Sequence, residues 1–107
     1  DSIERLREYF HGVMGRAGHH TQEVKAVCLS LMGAVLWKTT GVIEVKQYAG
    51  NTANIVWFWI ENKRFALCYE HNNQIIELRD RNYNGNVLKS FDNKSTNREI
   101  YDYFSSL

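Results

Sequence analysis

The stretch Ile55-Val56-Trp57-Phe58-Trp59-Ile60, then Glu61-Asn62-Lys63, then Arg64-Phe65-Ala66-Leu67-Cys68-Tyr69 decides the fold. Two runs of aromatic and β-branched residues flank a short polar break, which is the signature of a β-hairpin. Asn62 is the break residue suited to a left-handed conformation. A two-residue turn places Val56, Phe58 and Ile60 on one face with Phe65, Leu67 and Tyr69. The opposite face then collects Ile55, Trp57, Trp59, Arg64, Ala66 and Cys68. A three-residue turn would swap the Trp set with the Val-Phe-Ile set; the two-residue turn is the preferred reading. Large rings beside Ala66 and Cys68 pack well, and Arg64 has a Trp face within reach.

Working outward, residues 42–48 alternate Glu44 and Lys46 with Ile43 and Val45 and read as a first strand, and 49–54 read as a loop. Residues 74–79 read as a strand that adds Ile76 and Leu78 to the Phe58 face. Residues 80–86, with Asn84-Gly85, read as a loop, and 87–91 as a last strand. Short connections between successive strands favour an antiparallel meander.

Helical spacing brackets the strands. Ile3, Leu6, Phe10, Val13 and Met14 form an apolar stripe, with Ser2 as the expected cap and an end near Arg16 or Ala17. Val24, Val27, Cys28, Leu31, Met32, Val35 and Leu36 form a second stripe after a cap at Thr21. That helix is apolar nearly all round and reads as buried, with Gly33 allowing close packing. Its lack of a strongly basic polar face argues against a membrane-surface helix. Thr96-Asn97-Arg98-Glu99 is a capping box opening a closing helix, on which Ile100, Tyr103, Phe104 and Leu107 share a face. The expected fold class is α+β: two N-terminal helices, an antiparallel meander of four to five strands and one C-terminal helix, in a single domain over 1–107.

The meander leaves a second apolar sheet face. A helix of the same chain, a partner subunit or a ligand must cover it. Because two-fold dimers are the commonest oligomers, a homodimer is the expected partner arrangement.

Composition fits such a domain. The chain has 107 residues, 44% apolar and 23% charged, which argues against disorder. A net charge of +1 gives no global field to recruit nucleic acid or anionic membrane. The two cysteines are too few for a disulfide scaffold and read as buried reduced thiols. No run approaches a membrane span, and the charged, amphipathic start is not a signal peptide. The expected location is the cytoplasm.

Few constellations suggest chemistry. His19-His20 with His11 invites a metal reading, but no His-x-x-x-His or Cys-x-x-Cys completes a ligand set, so no metal or cofactor is expected. Cys28 with His71 is a poor nucleophile pair, because Cys28 lies mid-stripe on a buried helix. The glycines at 12, 15 and 18 follow a helix and do not form a phosphate loop. The densest polar stretch supplies Arg79, Arg81 and Tyr83 to an anion or to bases. Lys63, Arg64 and Lys89 would have to join them in a basic patch before nucleic acid became the better partner.

These stretches also carry a resemblance. Glu4-Arg5-Leu6-Arg7, Phe10-His11-Gly12-Val13-Met14-Gly15-Arg16-Ala17 with His19-His20, and Gly33-Ala34 before Trp37-Lys38 begin it. Asn54-Ile55-Val56-Trp57-Phe58, Arg64-Phe65-Ala66-Leu67 with His71-Asn72, Glu77-Leu78-Arg79-Asp80 and Val87-Leu88-Lys89-Ser90-Phe91 complete it. As a set they resemble the family of small bacterial proteins encoded on mobile integron gene cassettes. The resemblance implies bacterial origin and a small α+β domain. It implies no reaction and carries over no functional residue; cassette products in general include resistance enzymes, toxins and antitoxins.

The reading that results is a binding or interaction module that self-associates through Ile55, Trp57, Trp59, Arg64, Ala66 and Cys68. A small-molecule ligand or another protein is the other partner considered. The rival is a small enzyme or toxin acting on a small molecule or RNA, with His19, His20, Arg79, Arg81 and Tyr83 around a pocket.

Overall fold

Residues 1–17, 24–48, 51–70 and 72–107 are described by the structure, a computed structural model. Two helices, α1 (Ser2–Ala17) and α2 (Lys25–Lys38), precede five strands. These are β1 (Glu44–Tyr48), β2 (Asn51–Ile60), β3 (Lys63–Glu70), β4 (Ile75–Asp80) and β5 (Val87–Phe91). Helix α3 (Asn97–Ser105) closes the chain. The strands form one antiparallel sheet in the order β1-β2-β3-β4-β5, so the expected α+β meander is the fold.

The hairpin has the two-residue turn. Ile60 pairs with Lys63 and Phe58 with Phe65, so Val56, Phe58, Ile60, Phe65, Leu67 and Tyr69 share the core face. The left-handed residue is Glu61, with φ 54°, in place of the expected Asn62. The cause is a tether: the Glu61 amide donates to Thr40 Oγ1 at 2.7 Å, and the Thr40 amide donates to the Trp59 carbonyl at 2.7 Å. These bonds fix the turn from outside and offset the local strain.

Strand β2 starts at Asn51, four residues before the expected start. Asn51-Thr52-Ala53-Asn54 reads as a loop because Asn51, Ala53 and Asn54 have poor strand propensity. Pairing of Gln47 with Thr52 and Tyr48 with Asn51 extends the ladder regardless.

On α1 the buried stripe is Leu6, Tyr9, Phe10 and Val13, and Ile3 is exposed. The Tyr9 hydroxyl donates to the Leu67 carbonyl at 3.1 Å, so a ring with a polar tip fits this interior. Asp1 is the cap: its Oδ1 accepts from the Glu4 amide at 2.9 Å. The expected capping role of Ser2 is not its role, since its hydroxyl accepts from the Ile43 amide at 3.1 Å. Ser2 therefore ties α1 to the entry of β1. The expected cap at Thr21 lies outside the described residues.

Helix α2 buries Val27, Cys28, Leu31, Ala34 and Val35. It is not buried all round, because Leu29, Leu36 and Trp37 face outward. Nor does Gly33 serve close packing: a methyl group there would meet nothing within 4 Å. α1 and α3 pack against α2.

At α3, Thr96 caps as expected, its side chain accepting from the Glu99 amide at 3.0 Å. Thr96→Ala should therefore cost about 1 kcal/mol and lower Tm by roughly 5 °C. Thermal denaturation checks this, and Thr96→Ser should restore most of the loss.

One hydrophobic cluster joins the helix stripes to the inward face of the sheet: Leu6, Phe10, Leu31, Phe58, Leu67 and Phe104 are among its members. Among the described residues, no helix is long and apolar enough to cross a membrane.

Candidate functional site: the uncovered face of the sheet

All three helices contribute to that single cluster, and none of the opposite-face residues belongs to it. The expectation that a helix of the same chain covers the second face is therefore not met among the described elements. Register brings the six predicted residues together there. Ile55 is opposite Cys68, Trp57 opposite Ala66, and Trp59 opposite Arg64. β4 adds Glu77 beside Cys68 and Arg79 beside Ala66, and β5 adds Ser90 and Val87.

Ala66 and Cys68 are nevertheless buried. They are roofed by neighbours on their own face. The Trp57 indole donates from Nε1 to Asn82 Oδ1 at 3.1 Å, a bond that carries the ring from β2 across β3 to the loop after β4. Alanine at position 66 gives that ring room. Arg64 stacks its guanidinium over Trp57 at 5.2 Å from the ring centroid. Arg79 bonds Glu77 Oε1 at 2.8 Å and the Gly85 carbonyl at 3.1 Å, drawing the 80–86 loop onto the sheet. Trp59 stays 39% exposed at the open end.

The two thiols are chemically quiet. Burial pushes Cys28 up to about 12. Burial also pushes Cys68 up to about 11; Arg79 opposes this and Glu77 adds to it. Both remain neutral thiols at physiological pH and are poor nucleophiles.

Of the polar set, Arg79, Arg81 and Tyr83 are among the described residues. Arg79 is committed to Glu77 and the loop. Arg81 is exposed, with a left-handed φ of 67° and its Nε 3.7 Å from Asp80. Tyr83 is exposed on the same loop. His19 and His20 lie outside the described residues, as does His71, whose pairing with Cys28 the sequence already disfavours. Among the described residues, no three His, Cys, Asp or Glu are grouped to hold a metal ion.

A cleft of about 750 Å³ opens at the end of the sheet, between the β2–β3 turn and the last turn of α3. Lys63, Arg64 and Arg81 edge it, and Phe65, Leu88 and Tyr103 are among its apolar lining. Burial raises the Tyr103 phenol above its ordinary value, so it stays protonated.

A family model described as integron cassette protein VCH_CASS1 chain matches residues 6–99. The chain belongs to the integron cassette protein family. No curated protein matches it. Membership assigns this integron cassette protein no reaction, so the geometry above must carry any functional reading.

Some surface residues of the cassette protein were not legible as such. Trp37 stacks on Tyr101 with centroids 5.4 Å apart and planes at 7°, beside Leu29 and Leu36. Trp37 lies on the side of α2 that its all-round apolar sequence made look buried. The cleft joins Lys63 and Arg81, near the sheet, to Tyr103 in a distant stretch of sequence, which no local spacing signals.

Proposed function

We propose that this cassette protein is a non-enzymatic binding module of the cytoplasm that pairs with a second copy of itself through the uncovered sheet face. The observation that carries the reading is that the helices pack on one face only, while Ile55, Trp57 and Trp59 line the other. Val87, paired with Arg79, extends that surface with another exposed apolar side chain. Large apolar side chains left at a surface mark interaction sites when they cluster. Aromatic and arginine side chains are the residue types that anchor interfaces. A two-fold axis through the face would set each Trp59 against the partner's surface. Neutral thiols and a committed Arg79 support binding over covalent chemistry.

Trp59→Lys is the discriminating variant, because Trp59 is exposed, whereas Trp57 holds the roof of the sheet. The wild type should sediment as a dimer, and Trp59→Lys as a monomer whose Tm lies within a few degrees. A wild type that stays monomeric at hundreds of micromolar would remove the reading.

A further inference from the structure

We infer that the cleft at the end of the sheet binds a small organic anion with a flat apolar body, Lys63, Arg64 and Arg81 facing the charge and Phe65, Leu88 and Tyr103 the body. Its volume of about 750 Å³ lies within the range of small-molecule sites, roughly 300–1,000 Å³. The charge is local: three cationic side chains line the cleft against one side-chain carboxylate, that of Asp80, in a chain whose net charge is only +1. Asp80 does not cancel them, being a long, exposed 3.7 Å contact to Arg81 alone.

The wall explains why the body should be apolar and flat. Phe65 is a buried core residue whose edge reaches the cleft, and Leu88 is exposed. Leu88 faces the cleft because the β4–β5 register shifts between Leu78 and Arg79, leaving Leu88 between paired Val87 and Lys89. Apolar walls lower the local dielectric, so the cations attract an anion more strongly there than on open surface. The Tyr103 phenol, protonated, offers a neutral donor beside them. Arg64 is held in place over Trp57, and a stacked guanidinium keeps its in-plane N–H donors for a carboxylate or phosphate. Little side-chain freedom is then lost on binding. A nucleic-acid strand would need a basic track continuing beyond the cleft, and the near-neutral chain gives no sign of one.

Trp59 and Arg64 border the cleft and also belong to the face proposed for pairing, whereas Lys63, Asp80 and Tyr103 lie off that face, so anion binding and pairing are read by separate measurements. The test is an NMR titration of the intact chain with 2-naphthoate, with neutral 2-naphthol and inorganic phosphate as comparison probes. Sedimentation of the same samples reports pairing separately. Naphthoate should shift the amides of Lys63, Asp80 and Arg81 and saturate below about 1 mM. Each comparison probe should bind at least roughly tenfold more weakly. The double variant Lys63→Gln, Arg81→Asn should weaken naphthoate about tenfold at unchanged Tm, since both side chains are exposed and Asn tolerates the left-handed backbone at 81. No shifts at 10-fold higher naphthoate, equal binding of naphthol, or full binding by the double variant would each overturn the assignment.

Discussion

Phe58→Ala should cost about 4 kcal/mol of folding free energy and lower Tm by roughly 20 °C. Phe58 is fully buried in β2 and stacks on Phe65 with ring centroids 5.7 Å apart. The truncation removes a large apolar side chain and leaves a cavity. β2 is held on both sides by β1 and β3, so the backbone has little freedom to collapse into it. The loss is a large part of the 5–15 kcal/mol typical of a domain. Trp59→Ala, one residue along but on the other face, is the internal comparison and should cost less than about 1 kcal/mol. Chemical denaturation measures both. A loss below about 1.5 kcal/mol at Phe58, or equal losses at the two positions, would contradict the assignment of faces.

Gly85→Ala should open the outer face without unfolding the chain. A Cβ at position 85 would clash with the Asp80 carbonyl oxygen and lie 3.1 Å from that of Asn82. The Asp80 carbonyl cannot swing away freely, because it accepts from the Asn82 amide at 2.8 Å. The loop must therefore shift, at about 2 kcal/mol. Two bonds that hold the roof go with it, from Arg79 to the Gly85 carbonyl and from Trp57 to Asn82. Cys68 should then react with a thiol reagent under native conditions, while Cys28, in the helical core, stays protected. In the wild type neither thiol should react quickly near pH 8, since both lie far above that pH. One reactive thiol per chain, abolished by Cys68→Ser in the same background, is the expected result. Reaction of both thiols would mean global unfolding, and reaction of neither would mean that the loop is not the roof.

The hairpin was legible in the sequence for a physical reason. Strand periodicity is two, so fixing the turn length fixed the face of every residue from Ile55 to Tyr69, and Ala66 beside Trp57 already implied room for an indole. The capping box at Thr96 was legible because its partners are three residues apart. What could not be read depends on partners far along the chain. Ser2 reads as a cap until Ile43 is seen to take its hydroxyl. Asn51 to Asn54 read as a loop until β1 pairs with them. Asn82 and Gly85 carry no periodic signal, yet they complete the outer face. The outward side of α2 looked buried because composition reports apolarity and not which neighbours are present.

The order of strands in the sheet is the order of strands in the chain. Each pairing therefore closes only a short loop, and the sheet can zip together one neighbour at a time with little entropy lost per step. The long closures are left to the chain ends. The seam between α2 and the segment that runs from β5 into α3 is one of them, joined by the Val27 amide to Asn93 Oδ1 and by Ser30 to Asn97, partners 66 and 67 residues apart. These polar contacts tie the last part of the chain to an early helix, so the segment after the meander holds α2 in place.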